Sequence, residues 1–269
     1  MGLTVETYAS AAEAARALAA AQDARYLGGG TLVMRAVNYG DQSFRRILRA
    51  TDPALGRIAA QGGRISVGAG VTMAEITESR ELGFLAPAAR AVGGPAIRSM
   101  ATVGGNLFAA HPYGDLAAAL LALDGRAVLA DGREQALDEL FAARGRGQQP
   151  LVTAVTIARP ERGAFRFRKV SRVKPKGVSV MSIAAWLPRS GGRIAGARVA
   201  YGAMGPTPRR VPRVEQALEG RTLDAAGVQA AVAAAAEGLD PPEDAIASAW
   251  YRRAVAPVHL RRLLLEEDG

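Results

Sequence analysis

Cysteine is absent from all 269 residues. Disulfides, thiolate-held zinc and cysteine-ligated iron–sulfur clusters are therefore excluded from this chain. Histidine is nearly as scarce, with two residues, and aromatic side chains make up only 5%, too few for an obvious base-stacking platform. No run of about 18 apolar residues exists to cross a bilayer, and the alanine-rich stretch 230–236 is too short. No charged-then-apolar leader precedes Thr4, so the expected location is the cytoplasm, away from membranes. No Ser-His-Asp set, paired-carboxylate motif or metal-ligand cluster stands out, and transformation of an organic substrate by this chain's own side chains is not expected.

What the chain does have is apolar bulk and positive charge. Its apolar content of 49% against 22% charged residues is globular, and the length allows one or two domains. The formal charge is +9, but the arginines are scattered in pairs such as Arg45-Arg46, Arg209-Arg210, Arg252-Arg253 and Arg261-Arg262. A partner protein or an anionic cofactor accounts for that distribution better than nucleic acid does.

Ser10-Ala11-Ala12-Glu13 has capping-box spacing and opens a helix to Ala21; 24–27 and 46–50 read as strands, giving a β-α-β beginning. A short helix over 31–35 should leave the first glycine run. After a break at Asp52-Pro53, 64–69 alternates as a strand, 72–79 as a threonine-capped helix and 82–92 as a second helix ending at Gly93-Gly94-Pro95. The next stretch, to about residue 114, reads as loop throughout. Asp115 is placed to cap a helix over 116–123, and strands follow at 125–131 and 151–158. From Phe165 the pattern changes to an antiparallel meander over 165–171, 178–187 and 193–203, with turns at Lys174-Pro175-Lys176-Gly177 and Ser190-Gly191-Gly192. Helices are expected at 211–218, 223–237 and 248–266, the last interrupted at Pro257. Strands followed by helices indicate an α+β class with a C-terminal domain of its own.

Two glycine segments carry the chemistry. Gly28-Gly29-Gly30-Thr31-Leu32 follows an apolar strand, and Thr102-Val103-Gly104-Gly105-Asn106 is followed by Pro112-Tyr113-Gly114-Asp115. Consecutive main-chain N–H groups in such turns form nests that take phosphate oxygens without a cationic side chain, and two cradles suit a diphosphate. Taken alone, the first segment could equally be an ordinary strand-to-helix turn and the second a glycine bend. Neither a dinucleotide-binding G-x-G-x-x-G nor a P-loop lysine is present.

The pairing of Gly-Gly-Gly-Thr with Ala-Thr-Val-Gly-Gly-Asn and then Pro-x-Gly-Asp-Leu resembles the FAD-binding medium subunit of the molybdenum hydroxylases, which include xanthine dehydrogenase and aerobic CO dehydrogenase flavoproteins. The resemblance implies a two-lobed FAD-binding domain of the vanillyl-alcohol-oxidase type over 1–162, with lobes at 1–52 and 53–162. It also implies an α+β C-terminal domain over 163–269. It assigns FAD contacts to Gly28, Gly29, Gly30, Thr31, Leu32, Thr102, Gly104, Gly105, Asn106 and Asp115. Lys169 would be a cation near the flavin or its pyrophosphate. The implied partners are a small subunit with two 2Fe–2S clusters and a large molybdenum-cofactor subunit, in a dimer of heterotrimers. Electrons would pass through FAD to NAD⁺, oxygen or another acceptor. A stand-alone FAD oxidase and a flavin-free scaffold subunit are the alternatives.

This sequence departs from the pattern at three places. Leu32 stands where an acidic or hydroxyl residue is common, Pro175-Lys176-Gly177 stands where an aspartate is usual, and His111 occupies a position more often small. His111 would touch the flavin edge or lie at the surface. In the closing Ser248-Ala249-Trp250-Tyr251-Arg252-Arg253, the aromatics are expected to pack within the helix bundle and the arginines to lie at the surface or at a subunit interface.

Overall fold

A computed structural model describes residues 2–146, 149–173 and 177–267. The chain opens with β1 (Thr4–Tyr8), α1 (Ala11–Ala19), β2 (Ala24–Tyr26), α2 (Val33–Asn38) and β3 (Arg46–Ala50). Ser10 and Glu13 make the reciprocal capping box, which fixes where α1 starts. The strands form a parallel sheet in the order β1-β3-β2, and central β3 buries Ile47 and Leu48.

A 3-10 turn at Pro53–Gly56 leads into β4 (Ile58–Gln61), β5 (Arg64–Gly68) and α3 (Met73–Glu78), which is opened by a second capping box of Thr72 and Glu75. A 3-10 turn at Gly83–Leu85 precedes α4 (Ala86–Arg90), α5 (Pro95–Arg98), α6 (Val103–Leu107) and α7 (Asp115–Ala122). Next come β6 (Arg126–Leu129), β7 (Glu134–Ala136), α8 (Leu137–Gly145) and β8 (Val152–Ala158). The sheet here is antiparallel, ordered β4-β5-β8-β6-β7.

The remainder contains β9 (Phe165–Ser171), β10 (Ser179–Trp186), β11 (Arg189–Ser190), β12 (Arg193–Ile194), β13 (Arg198–Gly202) and β14 (Arg209–Arg210), then α9 (Pro212–Leu218), α10 (Gln229–Ala233) and α11 (Ala249–Leu265). Its main sheet is antiparallel, ordered β14-β13-β10-β9. Beyond Asp115, helix α7 is apolar on every side, and every one of its residues is buried, as a helix enclosed by protein requires. It packs on β10 and β13 from one face, while α11 packs on β10 from the other. Alternation along the strands divides them between two cores: Ala184 and Ala200 join the first, and Ile183, Ala185, Val199 and Tyr201 the second.

Several expectations need correction. The stretch before Asp115 is not loop throughout, because Gly94-Pro95 and Thr102 start the short helices α5 and α6. The helix expected at 82–92 is a 3-10 turn followed by α4, with Pro87 in the first turn of α4. The strand expected over 193–203 is split into β12 and β13, and Gly196, at φ +78°, lies in the gap. Only Gln229–Ala233 of the expected 223–237 helix is α-helical; tighter i−3 bonds such as Gln229 N to Ala226 O and Glu237 N to Ala234 O flank it. Helix α11 runs through Pro257 without interruption. Strands β1, β4, β7, β11 and β14 and helix α8 are additions. The turn read at Lys174-Pro175-Lys176 lies outside the described residues.

Candidate functional site

The first glycine segment begins where β2 leaves its sheet, after Leu27 N–H donates to Leu48 O at 2.8 Å. Gly30 takes φ +74°, a left-handed conformation that turns the chain toward α2. The second segment is anchored edge-on to the loop after β5. Val103 N donates to Val71 O (2.9 Å), Gly104 N to Ala69 O (2.8 Å) and Met73 N to Ala101 O (2.9 Å).

The two segments touch. A Cβ on Gly29 would fall 1.6 Å from the Met100 carbonyl oxygen, and one on Gly28 would fall 2.7 Å from Thr102 Oγ1. The missing side chains are therefore required by close packing of one segment on the other's backbone.

Their main-chain donors differ in what they leave available. In the second segment, Val103 and Gly104 bond as above, Gly105 N donates to Thr102 Oγ1 (3.1 Å) and Asn106 N to Thr102 O (2.9 Å). Those groups are engaged. In the first segment, none of the N–H groups from Gly28 to Leu32 donates to an acceptor among the described residues. Of the two cradles read from the sequence, the first keeps its donors free and the second is a helix start.

The polar side chains around the second segment are also occupied. Thr102 Oγ1 caps α6, and Asn106, buried, accepts from Ala117 N (2.9 Å) and so holds the first turn of α7. Asp115 was expected to be the cap of that helix, but Gly114 at φ +100° takes the position and Asp115 is the first helical residue. Its carboxylate accepts instead from Ser179 Oγ (2.6 Å) and Lys169 Nζ (3.0 Å). Lys169 also donates to Ala91 O (2.8 Å). The cation expected to face a flavin is thus compensated by a buried carboxylate, and it joins β9 to α7 and α4.

Residues 28–32 together with Thr102, Gly104, Gly105, Asn106, Asp115 and Lys169 line one cavity of about 910 Å³. Arg25 and Tyr26 of β2 and Phe44, just before β3, line one end, the glycine segments line its middle, and Lys169 of β9, Ser179 of β10 and the preceding Val178 line the other part. Cavities that enclose cofactors reach this size. Burial pushes the Tyr26 hydroxyl pKa up. Arg144 on α8 donates to Ala109 O at 2.8 Å and to Leu107 O, which fixes the chain after α6; burial lowers its pKa. Arg35 bonds the Tyr113 hydroxyl and lies over the Tyr39 and Tyr113 rings, at 5.5 and 5.8 Å, so α2 is clasped to the chain before α7. No local sequence signal marks Arg144 or Arg35, because both act across long separations.

His111 lines the cavity too, and its Nε2 lies 2.7 Å from Asp244 Oδ2. Asp244 accepts both Nη2 bonds of Arg252 at 3.0 Å and the N–H groups of Ile246 and Ala247. Burial pushes the Asp244 carboxyl pKa up, but the His111 and Arg252 bonds outweigh it and hold the group well below the usual carboxylate range. At the last helix the expectation holds for Arg253, which is exposed, and fails for Arg252 and the two aromatics. Arg252 is wholly buried, whereas Trp250 is 73% exposed and Tyr251 42% exposed.

Among the described residues no cluster of His, Asp or Glu could hold a metal ion, and no helix is long and apolar enough to cross a membrane. The arrangement fits FAD. Uncommitted main-chain N–H groups offer a diphosphate its acceptor-matched donors, and the cavity extends from them both ways along the molecule.

Residues 3–160 match the family model described as the FAD binding domain in molybdopterin dehydrogenase, and residues 166–267 match the CO dehydrogenase flavoprotein C-terminal domain. The chain is 30% identical over 222 residues to the carbon monoxide dehydrogenase medium chain of Afipia carboxidovorans, covering 79% of this chain and 73% of that one. It is 27% identical over 177 residues to the glyceraldehyde dehydrogenase medium chain of Sulfolobus acidocaldarius; that alignment covers 64% of this chain and 63% of the relative. The structure of reconstituted CO dehydrogenase from Oligotropha carboxidovorans superposes with a TM-score of 0.88 at 26% identity, covering 98% of this chain and 96% of that one.

Proposed function

Since this chain belongs to the FAD-binding family of molybdopterin dehydrogenase subunits, we propose that it is the electron-transfer flavoprotein of a three-part oxidoreductase. A small subunit with two 2Fe–2S clusters would deliver electrons singly to its FAD, after a large molybdenum-cofactor subunit has hydroxylated the organic substrate. NAD⁺, oxygen or another acceptor would then take them in pairs, and the assembly would be a dimer of heterotrimers. The bound flavin supplies the ability to gather single electrons and release two. This chain's residues bind it, orient it and exclude water from it.

The observation that carries the reading is the meeting of two glycine segments, distant in sequence, on one cavity with a set of free N–H donors. Gly28, Gly29, Gly30, Thr31 and Leu32 would take the diphosphate. Leu32 would contribute its N–H alone. Thr102, Gly104, Gly105 and Asn106 would shape the opposite wall, and the Asp115–Lys169 ion pair would stand in the wall of the same cavity. The domain limits 1–162 and 163–269 accompany this reading, with the cavity walled by both parts.

Titrating the purified chain with FAD tests it. Flavin bands at ~370 and ~450 nm, retained after gel filtration at one equivalent per chain, are expected. A chain that stays colourless in excess FAD rejects the proposal and favours a flavin-free scaffold. Co-purification with an iron–sulfur protein is expected, whereas turnover of an organic substrate by this chain alone would favour a stand-alone oxidase.

A further inference from the structure

Three cations line the cavity, Arg25, Arg35 and Lys169, against two carboxylates, Asp41 and Asp115. Lys169 is paired with Asp115 at 3.0 Å, and Arg25 lies close to Asp41, whose carboxyl the Ser43 bonds and then Arg25 hold below its usual range. Arg35 is the charge left over. Its Nη1 donates to the Tyr113 hydroxyl, its guanidinium lies over the Tyr39 and Tyr113 rings, and it pairs with no carboxylate among the described residues.

An exposed arginine ordinarily finds a carboxylate or moves freely in water, whereas this one is held against two neutral rings, which orient its planar group and leave its charge intact. Its placement gives that charge a use. The loop with the free N–H donors ends at Leu32, and α2 winds directly from it: Met34 N donates to Gly30 O (2.9 Å) and Ala36 N to Leu32 O (3.0 Å). Three residues of helix carry the chain only about 4.5 Å along the axis, which keeps the Arg35 side chain within reach of those donors. Tyr113 comes from the chain just before α7, 78 residues on, and lines the same cavity. The guanidinium therefore bridges the wall that bears the free donors and the wall that carries Tyr113.

We infer that Arg35 is a cofactor-contacting residue whose guanidinium pairs with the diphosphate of FAD, and that Tyr39 and Tyr113 are positioning residues that hold it across the cavity for that contact. The inference rests on the reading of the cavity as the FAD site, and it names the cation that site needs. The N–H groups of residues 28–32 offer hydrogen bonds but no net charge, and Lys169 is already neutralised by Asp115. A guanidinium presents parallel N–H groups that match two phosphate oxygens. Arg35 thus recognises the phosphates and is indifferent to the flavin ring.

The test titrates the full chain with FAD and with riboflavin, which has the ring and ribityl chain but no phosphate, at about 0.05 M and about 0.5 M salt. Arg35→Met is expected to weaken FAD binding about 10- to 100-fold at the lower salt, the worth of one charge-assisted hydrogen bond, and to leave riboflavin binding within about twofold of wild type. Wild-type affinity for FAD should fall as salt rises, and that of Arg35→Met should fall less. Arg35→Lys keeps the charge and loses the fork, so it should retain the salt dependence and bind FAD with an affinity between the two. Tyr113→Phe keeps the ring and loses the hydroxyl, and should cost less FAD affinity than Arg35→Met does. An unchanged FAD affinity in Arg35→Met, an equal loss of FAD and riboflavin, or the same salt dependence as wild type would overturn this inference and leave the cofactor assignment standing. A wild-type chain that binds no FAD would overturn both.

Discussion

Placing a methyl group on Gly29 tests the junction of the two segments. That Cβ would sit 1.6 Å from the Met100 oxygen and 2.5 Å from its carbonyl carbon, where real Cβ contacts stay beyond 3.0 Å. The segments must therefore part by more than an ångström. The obstacle is backbone, which cannot rotate away, and the next residue, Ala101, is fixed by bonds to Ile97 O (2.7 Å) and from Met73 N (2.9 Å). Overpacking a filled site costs about 1–3 kcal/mol, and a rigid obstacle puts Gly29→Ala at the upper end. For a chain of this length that is a fall in Tm of roughly 6–12 °C. Separation of the segments also displaces the free N–H groups from the opposite wall, so FAD affinity should fall more than tenfold. Gly83→Ala is the control: nothing lies within 4 Å of its Cβ, and its stability should stay within about 1 kcal/mol of wild type. Thermal melts of the apo proteins and FAD titrations give both quantities. If Gly29→Ala behaves as Gly83→Ala does, the packing argument is wrong.

Other substitutions probe the supports. Asn106→Ala removes the acceptor for Ala117 N and should cost about 1–2 kcal/mol in urea unfolding, as the loss of a helix cap does. Arg252→Met leaves Asp244 without the cation that holds it and should cost about 3–5 kcal/mol; a loss below 1 kcal/mol in the same assay would show that the clamp is idle. Acid should destabilise the protein in a defined direction. The Glu6 carboxyl is held down to about 2 by Arg46 and Tyr8, and Asp244 is held low by His111 and Arg252 against the upward push of burial. A depressed folded-state pKa gives stability that is complete above the unfolded value and is lost as pH falls through the folded one. Urea midpoints should therefore hold above 4.5, the ordinary glutamate value, and fall toward about 2; Asp244→Asn should flatten that slope, and an unchanged slope would remove Asp244 from the explanation.

Local signals were readable from the sequence, and long-range ones were not. The Ser10–Glu13 capping box and the Thr72 cap marked helix starts because a cap signal is complete within four residues. The glycine segments were recognisable, but their roles were only half legible: whether an N–H is free depends on carbonyls such as Ala69 O and Val71 O, supplied from another part of the chain. Asp115 read as a cap because its neighbours are helical, and it serves Lys169 and Ser179 instead through contacts 54 and 64 residues away. The burial of Arg252 in the final helix was illegible for the same reason, while Arg253 lies at the surface as expected. Arginine is ordinarily exposed, and only the arrival of Asp244 and three backbone carbonyls makes burial of Arg252 tolerable. Pro257 was expected to interrupt α11, but a helix packed on β9 and β10 can absorb one missing N–H bond.

Amide hydrogen exchange on the purified chain, with and without saturating FAD, tests the central claim most directly. The account predicts that amides 28–32 exchange quickly in the apo protein and slow markedly when FAD binds. Amides 103–106 should already be protected and change little. Exchange at 28–32 that is indifferent to bound FAD would contradict the assignment of these N–H groups to its diphosphate.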